Sequence, residues 1–293
     1  MTALSTASAH AYPGSPGGEV QIDTLTPHPA RVWNYWLGGK DNYPCDRHVG
    51  DACQEICPNI VTLAQMSRHF MARAIGYLAT TAKIGQFLVV GTDLPNGDDP
   101  HTIAQRITPA ARVVYADTDP LVLTHARALL TSNTHGVCDY LDADLHHPAA
   151  LVRGAATTLN FGEPVAIVLR NSLDHLPDQD AAHALQVLLG AAAAGSHLAI
   201  SHLTGHLHPR PMAQLAGLLT QHCGVPWLLR TPTQIAELLD RLNGGLLDRL
   251  NGGLPGGLRL VDPGVVSAPL WRPEPSPWPQ RQADIWAAVG CKR

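Results

Sequence analysis

Four stretches of this chain carry carboxylates or amides directly after an apolar run: Gly91-Thr92-Asp93-Leu94-Pro95-Asn96-Gly97, Ala116-Asp117-Thr118-Asp119-Pro120, Asp142-Ala143-Asp144-Leu145, and Arg170-Asn171-Ser172-Leu173-Asp174-His175. In the first pair, an apolar run stops at a glycine-bearing loop, and about 25 residues later a second run ends in an acid. Such a loop leaves backbone N–H groups facing a ligand, and such an acid accepts from ribose hydroxyls, which is how nucleotide sites begin in α/β domains. The fourth stretch adds two titratable groups, Asp174 and His175, of which the imidazole is better matched to proton transfer near neutral pH. The first loop lacks the G-x-G-x-x-G run of nicotinamide-binding domains, which weakens a dehydrogenase reading.

These loops need elements to hold them. The runs QFLVV, ARVVYAD, GVCDYL, EPVAIVLR and SHLAISHL are separated by helical patterns, and Pro120 and Pro177-Asp178 mark helix starts. Alternating strands and helices specify a parallel, doubly wound sheet whose ligand lies beyond the carboxyl ends of the strands, near the switch point. Upstream, Ile60, Leu63, Ala64, Phe70, Met71, Ala74, Ile75 and Leu78 recur at helical spacing and predict one long helix over Asn59 to Lys83. The last runs, LRLVDPG and ADIWAAVGCKR, read as strands able to pair antiparallel at the sheet edge.

The division that follows is a flexible arm over residues 1–26, a helical lid segment over 27–83, and an α/β core over 84–293. Within the core, LLDRLNGG occurs twice in tandem over 238–253, too short for a solenoid unit and expected as a surface insertion. Residues 31–47 crowd tryptophans, tyrosines, a glycine pair, Lys40, Asn42 and acids around one helix. Two readings stay open there, a helix docked by its aromatics and a lid over a ligand.

Composition narrows the partners. At 293 residues and 45% apolar, the chain can bury a substantial core, and a net charge of −4 with mixed signs gives no footprint for nucleic acid or an anionic membrane. No apolar run reaches membrane-spanning length and the amino terminus lacks signal-peptide features, so a cytoplasmic protein with a small-molecule partner is expected. The six cysteines form no C-x-x-C pair and read as free, mostly buried thiols. His202, His206 and His208 are closely spaced but lack a metal-binding pattern, so no metal is assigned. The oligomeric state is open, a homodimer included.

The segments RVWNYWLGGKDNYPCDR, FLVVGTDLP, ARVVYADTDPLVLTHARALL, DADL, LPD, ISH, GLRLVDPGVVSAPLWRP and WAAVGCK resemble a family of bacterial S-adenosylmethionine-dependent methyltransferases of the class I fold, long catalogued as a domain of unknown function. The resemblance spans nearly all of the chain after residue 27, and the YxLGGKDN-type segment is its most specific part. It implies a Rossmann-like, seven-stranded, mostly parallel sheet with an antiparallel C-terminal hairpin and an N-terminal helical lid. It also implies S-adenosylmethionine as cofactor, with S-adenosylhomocysteine as product. Carried over, Gly91, Thr92, Asp93 and Leu94 would line the methionine end, Asp117 with Thr118 would hold the ribose, and Asp144 with Leu145 would face the adenine. Asn171 and Ser172 would sit near the sulfonium, and Tyr35, Gly38, Gly39, Lys40 and Asn42 would close over the site.

Two positions depart from the family's DIGTGLPT-like run: Val89 stands where an acid is usual, and Asp93 where a second glycine is usual. Asp93 either crowds the cofactor's carboxylate or takes over its ammonium. Asp174-His175 also replaces a His followed by an aromatic. The leading expectation is methyl transfer to a small molecule, in secondary metabolism, with Asp174 or His175 as the base if the acceptor needs one. The alternative is a degenerate relative that senses a ligand or binds a partner without methyl transfer.

Overall fold

A computed structural model of the chain describes residues 22–91, 94, 99–129, 132–243, 257–273 and 281–293. Residues 1–21 of the expected arm, Thr92 and Asp93 of the first loop, and residues 244–253 of the tandem repeat lie outside the described residues.

Three helices come first: α1 (Pro29–Trp36), α2 (Pro44–Ile56) and α3 (Ile60–Thr80). The core then alternates β1 (Gln86–Val90), α4 (Pro100–Ile107), β2 (Arg112–Asp117), α5 (Pro120–Leu129), β3 (Val137–Asp142), α6 (Pro148–Ala155), β4 (Ala166–Arg170), α7 (Asp178–Ala191) and β5 (His197–Leu203). It ends with α8 (Pro209–Cys223), α9 (Pro232–Asp240), β6 (Leu258–Leu260), β7 (Val266–Ser267) and β8 (Ile285–Lys292). Proline occupies the first position of α1, α2, α4, α5, α6, α8 and α9, where its missing N–H costs nothing and its fixed φ suits the helix.

The sheet order is β3-β2-β1-β4-β5-β8-β6, with the two-residue β7 paired off this path to β8. β1 to β5 are parallel, whereas β8 runs antiparallel between β5 and β6. The expected seven-stranded path is therefore present, with an eighth short strand beside it. The two C-terminal runs pair antiparallel at one edge of the sheet, as expected, with β6 outermost and β8 between it and β5.

Alternate residues of each strand feed two apolar layers. Phe87, Val89, Val113, Tyr115 and Val168 face a cluster shared with α1 to α4 and α8, while Leu88, Val90, Val114, Ile167 and Leu169 face one shared with α6, α7 and α9. The first copy of the tandem repeat also departs from a purely surface insertion. Leu238, Leu239 and Leu242 are buried in the second layer, and only Asp240, Arg241 and Asn243 face outward. Among the described residues no helix is long and apolar enough to cross a membrane.

Candidate active site

A cavity of about 220 Å3 opens where the sheet order reverses, between the carboxyl ends of β1 and β4. That is where the fold leaves a crevice, because the chain departs from neighbouring strands in opposite directions there. Val90 and Gly91 supply its floor from β1, Ala116, Asp117 and Thr118 come from β2, and Ala143 to His146 follow β3. Arg170, Asn171, Ser172, His175 and Leu176 line it from the β4 end, and His28, Pro29, Ala30 and Trp33 from the start of α1.

Gly91 is fixed by its neighbours. Its φ is +76°, and a Cβ there would fall on the Ser172 hydroxyl and lie 3.0 Å from the Arg170 carbonyl oxygen. The same hydroxyl donates to the Val90 carbonyl at 2.7 Å, so Ser172 ties the tip of β4 to that of β1. Beside it Asn171 is left-handed, with φ +54°, a conformation that asparagine tolerates better than most residues. Its side chain is consumed in holding that turn: Oδ1 accepts from Ser67 at 2.9 Å and Ser201 at 3.1 Å, and Nδ2 donates to Asp174 at 3.2 Å.

Asp174 and His175, adjacent in sequence, are turned to different environments. Asp174 is 1% exposed, is not among the cavity-lining residues, and accepts from the Leu203 N–H at 3.1 Å through Oδ2. Its Oδ1 lies 3.1 Å from His202 Nδ1, yet that nitrogen makes its hydrogen bond to the Leu203 carbonyl at 2.7 Å, leaving Oδ1 without a partner. His202 Nε2 accepts from Arg230 at 2.8 Å, and Arg230 also donates to the Leu173 and Leu176 carbonyls and to Asp178. Burial pushes Asp174 up to about 8, while burial and then the Arg230 charge push His202 down to about 3. Folded, the pair thus keeps one proton from about pH 3 to about pH 8.

Unfolded, with ordinary values of 3.8 and 6.5, the same pair has released both protons above pH 6.5. The folded state therefore binds one more proton between pH 6.5 and 8, and stability falls as pH rises through that window, by about 2 kcal/mol at 1.36 kcal/mol per unit. Below pH 3.8 the unfolded chain takes up the second proton first, so stability also falls toward pH 3. Asp174→Asn keeps an acceptor oxygen and removes the proton. Urea unfolding at pH 6.5 and 8 is expected to show the fall in the wild type and its absence in the variant.

His175 faces the cavity. Its Nδ1 donates to the Pro226 carbonyl at 2.7 Å, which leaves Nε2 as the acceptor, and its ring packs edge-on to Trp227 at 4.9 Å. Burial lowers its pKa, which keeps the imidazole neutral. The three closely spaced histidines weighed as a metal set are engaged separately: His202 in the network just described, His208 on Asp284 at 2.7 Å, and His206 edge-on to Trp286.

The wall from α1 is fastened by Arg31. Its Nε donates to Asp119 at 3.1 Å and its Nη1 lies 3.7 Å from Asp46, all three side chains being buried, and Nη1 and Nη2 cap the Asp23 and Thr26 carbonyls. Asp119 in turn receives the Leu121 N–H at the start of α5. The residues of the YxLGGKDN-type segment are not among those lining the cavity. Tyr35 donates to Asp51 at 2.5 Å, Gly38 ends α1 with φ +77°, and Lys40 is exposed. A Cβ on Gly39 would strike the Asn34 amide, and Asn42 bridges Asn34 Oδ1 and the Gly39 carbonyl at 2.8 and 3.0 Å. The segment is a self-fastened turn that orients α1, so that His28, Ala30 and Trp33 of the same helix region meet the cavity instead.

The family model for S-adenosyl methyltransferases matches residues 16–293. The chain belongs to that family. A DUF574 family protein from Streptomyces avermitilis is 33% identical, with a TM-score of 0.83 over 93% of this chain and 100% of its own. An inferred methyltransferase from Thermobifida fusca is 32% identical, with a TM-score of 0.80 over 92% of this chain and 97% of its own. The magnesium protoporphyrin IX methyltransferase of Synechocystis, solved with bound S-adenosylhomocysteine, is 13% identical with a TM-score of 0.51 over 89% of this chain and 93% of its own, and so shares the fold. No curated protein matches the chain.

As a member of the S-adenosyl methyltransferase family, the chain is an S-adenosylmethionine-dependent enzyme, and its cavity suits that cofactor. Gly91 lines the cavity with bare backbone, its Cβ direction being blocked by Ser172 and the Arg170 carbonyl, and the buried Asp117 stands at the cavity wall with Oδ1 receiving the Asp119 N–H at 2.9 Å. Asp144 is largely engaged by its own loop, accepting the His146 and His147 N–H groups at 2.9 and 3.2 Å, and Leu145 is buried beside it. Leu94 is buried in a small cluster with Leu121 and Val122 and is not among the cavity-lining residues. Val89 is buried in the first apolar layer, so an acid placed there would enter the core, and reverting it reads stability before it reads binding. Sequence reasoning missed Trp33, His28, His146 and Arg170 as cavity residues. The one local signal for Arg170 was a charge closing an otherwise apolar strand.

Proposed function

We propose that the chain transfers the methyl group of S-adenosylmethionine to a small molecule of the kind secondary metabolism supplies, with His175 as the proton acceptor. The observation that carries this is the division of the cavity into two ends. Asp117, Thr118, Asp144 and Leu145 gather at the β2 and β3 ends, where a nucleoside would be held, and His175, Asn171 and Ser172 gather at the β4 end. The bound sulfonium supplies an electrophilic methyl and a leaving group that departs without charge. The chain's part is to align the acceptor, exclude water and take one proton where the acceptor is a hydroxyl.

His175 suits that last task because its Nδ1 proton is committed to Pro226 and its Nε2 is the basic atom. Asp174, weighed beside it from sequence, sits in the buried network behind the cavity and acts there on the turn that carries Asn171. Gly91 and Asp117 remain the proposed cofactor contacts, the start of α1 serves as the lid, and the cytoplasm is the proposed working place.

Incubation of the protein with methyl-labelled S-adenosylmethionine and a pool of small metabolites is expected to put label into the small-molecule fraction. His175→Gln is expected to lower that rate 10²- to 10⁴-fold while leaving S-adenosylhomocysteine binding within twofold. Label confined to protein or nucleic acid added to the same mixture would refute a small-molecule acceptor.

A further inference from the structure

The connection from α8 to α9 packs on the turn that carries His175. Val225 lines the cavity, the Pro226 carbonyl accepts from His175 Nδ1 at 2.7 Å, the Trp227 ring lies edge-on to the imidazole, and the Leu228 N–H donates to the Asp174 carbonyl at 2.7 Å. Arg230 completes the set. It is 3% exposed, and its guanidinium donates through Nη1 to the Leu173 carbonyl at 2.8 Å, through Nη2 to the Leu176 carbonyl, and through Nε to Asp178 at 2.8 Å. Leu173 and Leu176 stand on either side of the Asp174-His175 pair, so one planar fork spans the turn from end to end.

The two halves of this turn have different holders. Asn171 and Ser172 are tied to α3, β5 and β1 through Ser67, Ser201 and the Val90 carbonyl. The His175 half takes its bonds from the α8–α9 connection. Which nitrogen of an imidazole carries the proton is set by the partner of the other, and Nε2 can take a proton only while Nδ1 keeps its own. Here the partner of Nδ1 is the Pro226 carbonyl, so Nε2 is basic on the cavity side only while the turn and residue 226 stay in register. A displacement of about 1 Å at a reacting group can cost about 10²-fold in rate.

Resting on His175 as the proton acceptor, we infer that Arg230 is a positioning residue for the methyl transfer. It clamps the carbonyls on both sides of the base, which keeps Nδ1 on Pro226 and Nε2 turned to the acceptor, and it is not itself among the residues that line the cavity. The same fork receives no help from the cofactor end of the turn, so the base can be displaced while the cofactor contacts stay in place.

The test compares the full chain with Arg230→Lys and Asp178→Asn, each saturated with S-adenosylhomocysteine and isotope-labelled at the histidine nitrogens, His175 being the signal that His175→Gln removes. Lysine keeps the buried charge beside His202, but as a single point that cannot span two carbonyls. Asp178 is 56% exposed, and its replacement frees only the Nε end of the fork. Proton–nitrogen correlations at pH 8 are expected to show a single tautomer of His175 in the wild type, protonated at Nδ1, a mixture of the two neutral tautomers in Arg230→Lys, and a smaller admixture in Asp178→Asn. The rate of label transfer from saturating S-adenosylmethionine to the metabolite pool is expected to fall tenfold or more in Arg230→Lys and two- to fivefold in Asp178→Asn, with S-adenosylhomocysteine affinity within twofold of wild type in both. A single Nδ1–H tautomer in both variants would overturn the inference and leave Arg230 a holder of the fold alone. A tenfold loss of S-adenosylhomocysteine affinity in Arg230→Lys would overturn it as well, because the two halves of the turn would then move together. Should Arg230→Lys fail to melt cooperatively, Asp178→Asn decides, and a wild-type tautomer and rate there count against the inference. Mixed tautomers with an unchanged rate would overturn it through its premise, that His175 takes the proton.

Discussion

Replacing Gly91 by alanine is expected to weaken S-adenosylhomocysteine binding at least a hundredfold. The position combines a positive φ with contact on two sides, so alanine carries both a backbone penalty and a collision. The new methyl would fall on the Ser172 hydroxyl and against the Arg170 carbonyl oxygen, and neither can yield cheaply. Ser172 is held by its hydrogen bond to Val90, and the Arg170 carbonyl belongs to the sheet. The relief available is to push the β1 loop into the cavity, where the ligand would lie. Titration calorimetry checks the loss, and thermal melting separates it from unfolding. An affinity within fivefold of wild type would show that the loop has room the structure denies.

Arg31→Met is expected to cost about 3–5 kcal/mol of unfolding free energy, because removing one partner of a buried ion pair leaves the other's charge without compensation. Here two buried carboxylates, Asp119 at 2% and Asp46 at 0% exposure, would lose their guanidinium and keep only backbone N–H donors and, at Asp119, the His28 imidazole. Methionine fills comparable space, so the loss reports charge and hydrogen bonding before packing. The double variant with Asp119→Asn is expected to recover part of the cost, since it removes one of the two buried charges that lose the guanidinium. Urea unfolding measures both. A loss under about 1 kcal/mol would mean that the contact is dispensable.

Much of the fold was legible because its signals are local. Proline at the first position of most helices marks their starts, and the apolar runs that became β1, β2 and β4 stop at Gly91, Asp117 and Asn171. Gly91 and Asp117, both of which line the cavity, stand out in the sequence for the same reason, each being a backbone or charge feature written at one position. The place of β8 was not, because insertion between β5 and β6 depends on pairing with residues about 90 positions away, which no local pattern encodes.

The structure separates two residues that the sequence places side by side. Asp174 and His175 are neighbours in sequence, but the left-handed Asn171 and the short 3-10 turn after it send one carboxyl into the Ser67–Asn171–His202–Arg230 network and one imidazole toward the cavity. The glycine-rich segment after α1 was composed like a ligand loop. Its glycines and Asn42 are used to close a turn on Asn34, and the ligand-facing work falls to the less conspicuous His28, Ala30 and Trp33.

The most direct measurement is equilibrium titration of the full chain with S-adenosylhomocysteine, repeated with Asp117→Ala. A site built from the Gly91 backbone and the Asp117 carboxylate predicts saturable one-to-one binding in the wild type and a loss of tenfold or more in the variant. Absence of saturable binding in the wild type, or equal affinity in the two proteins, would contradict the account.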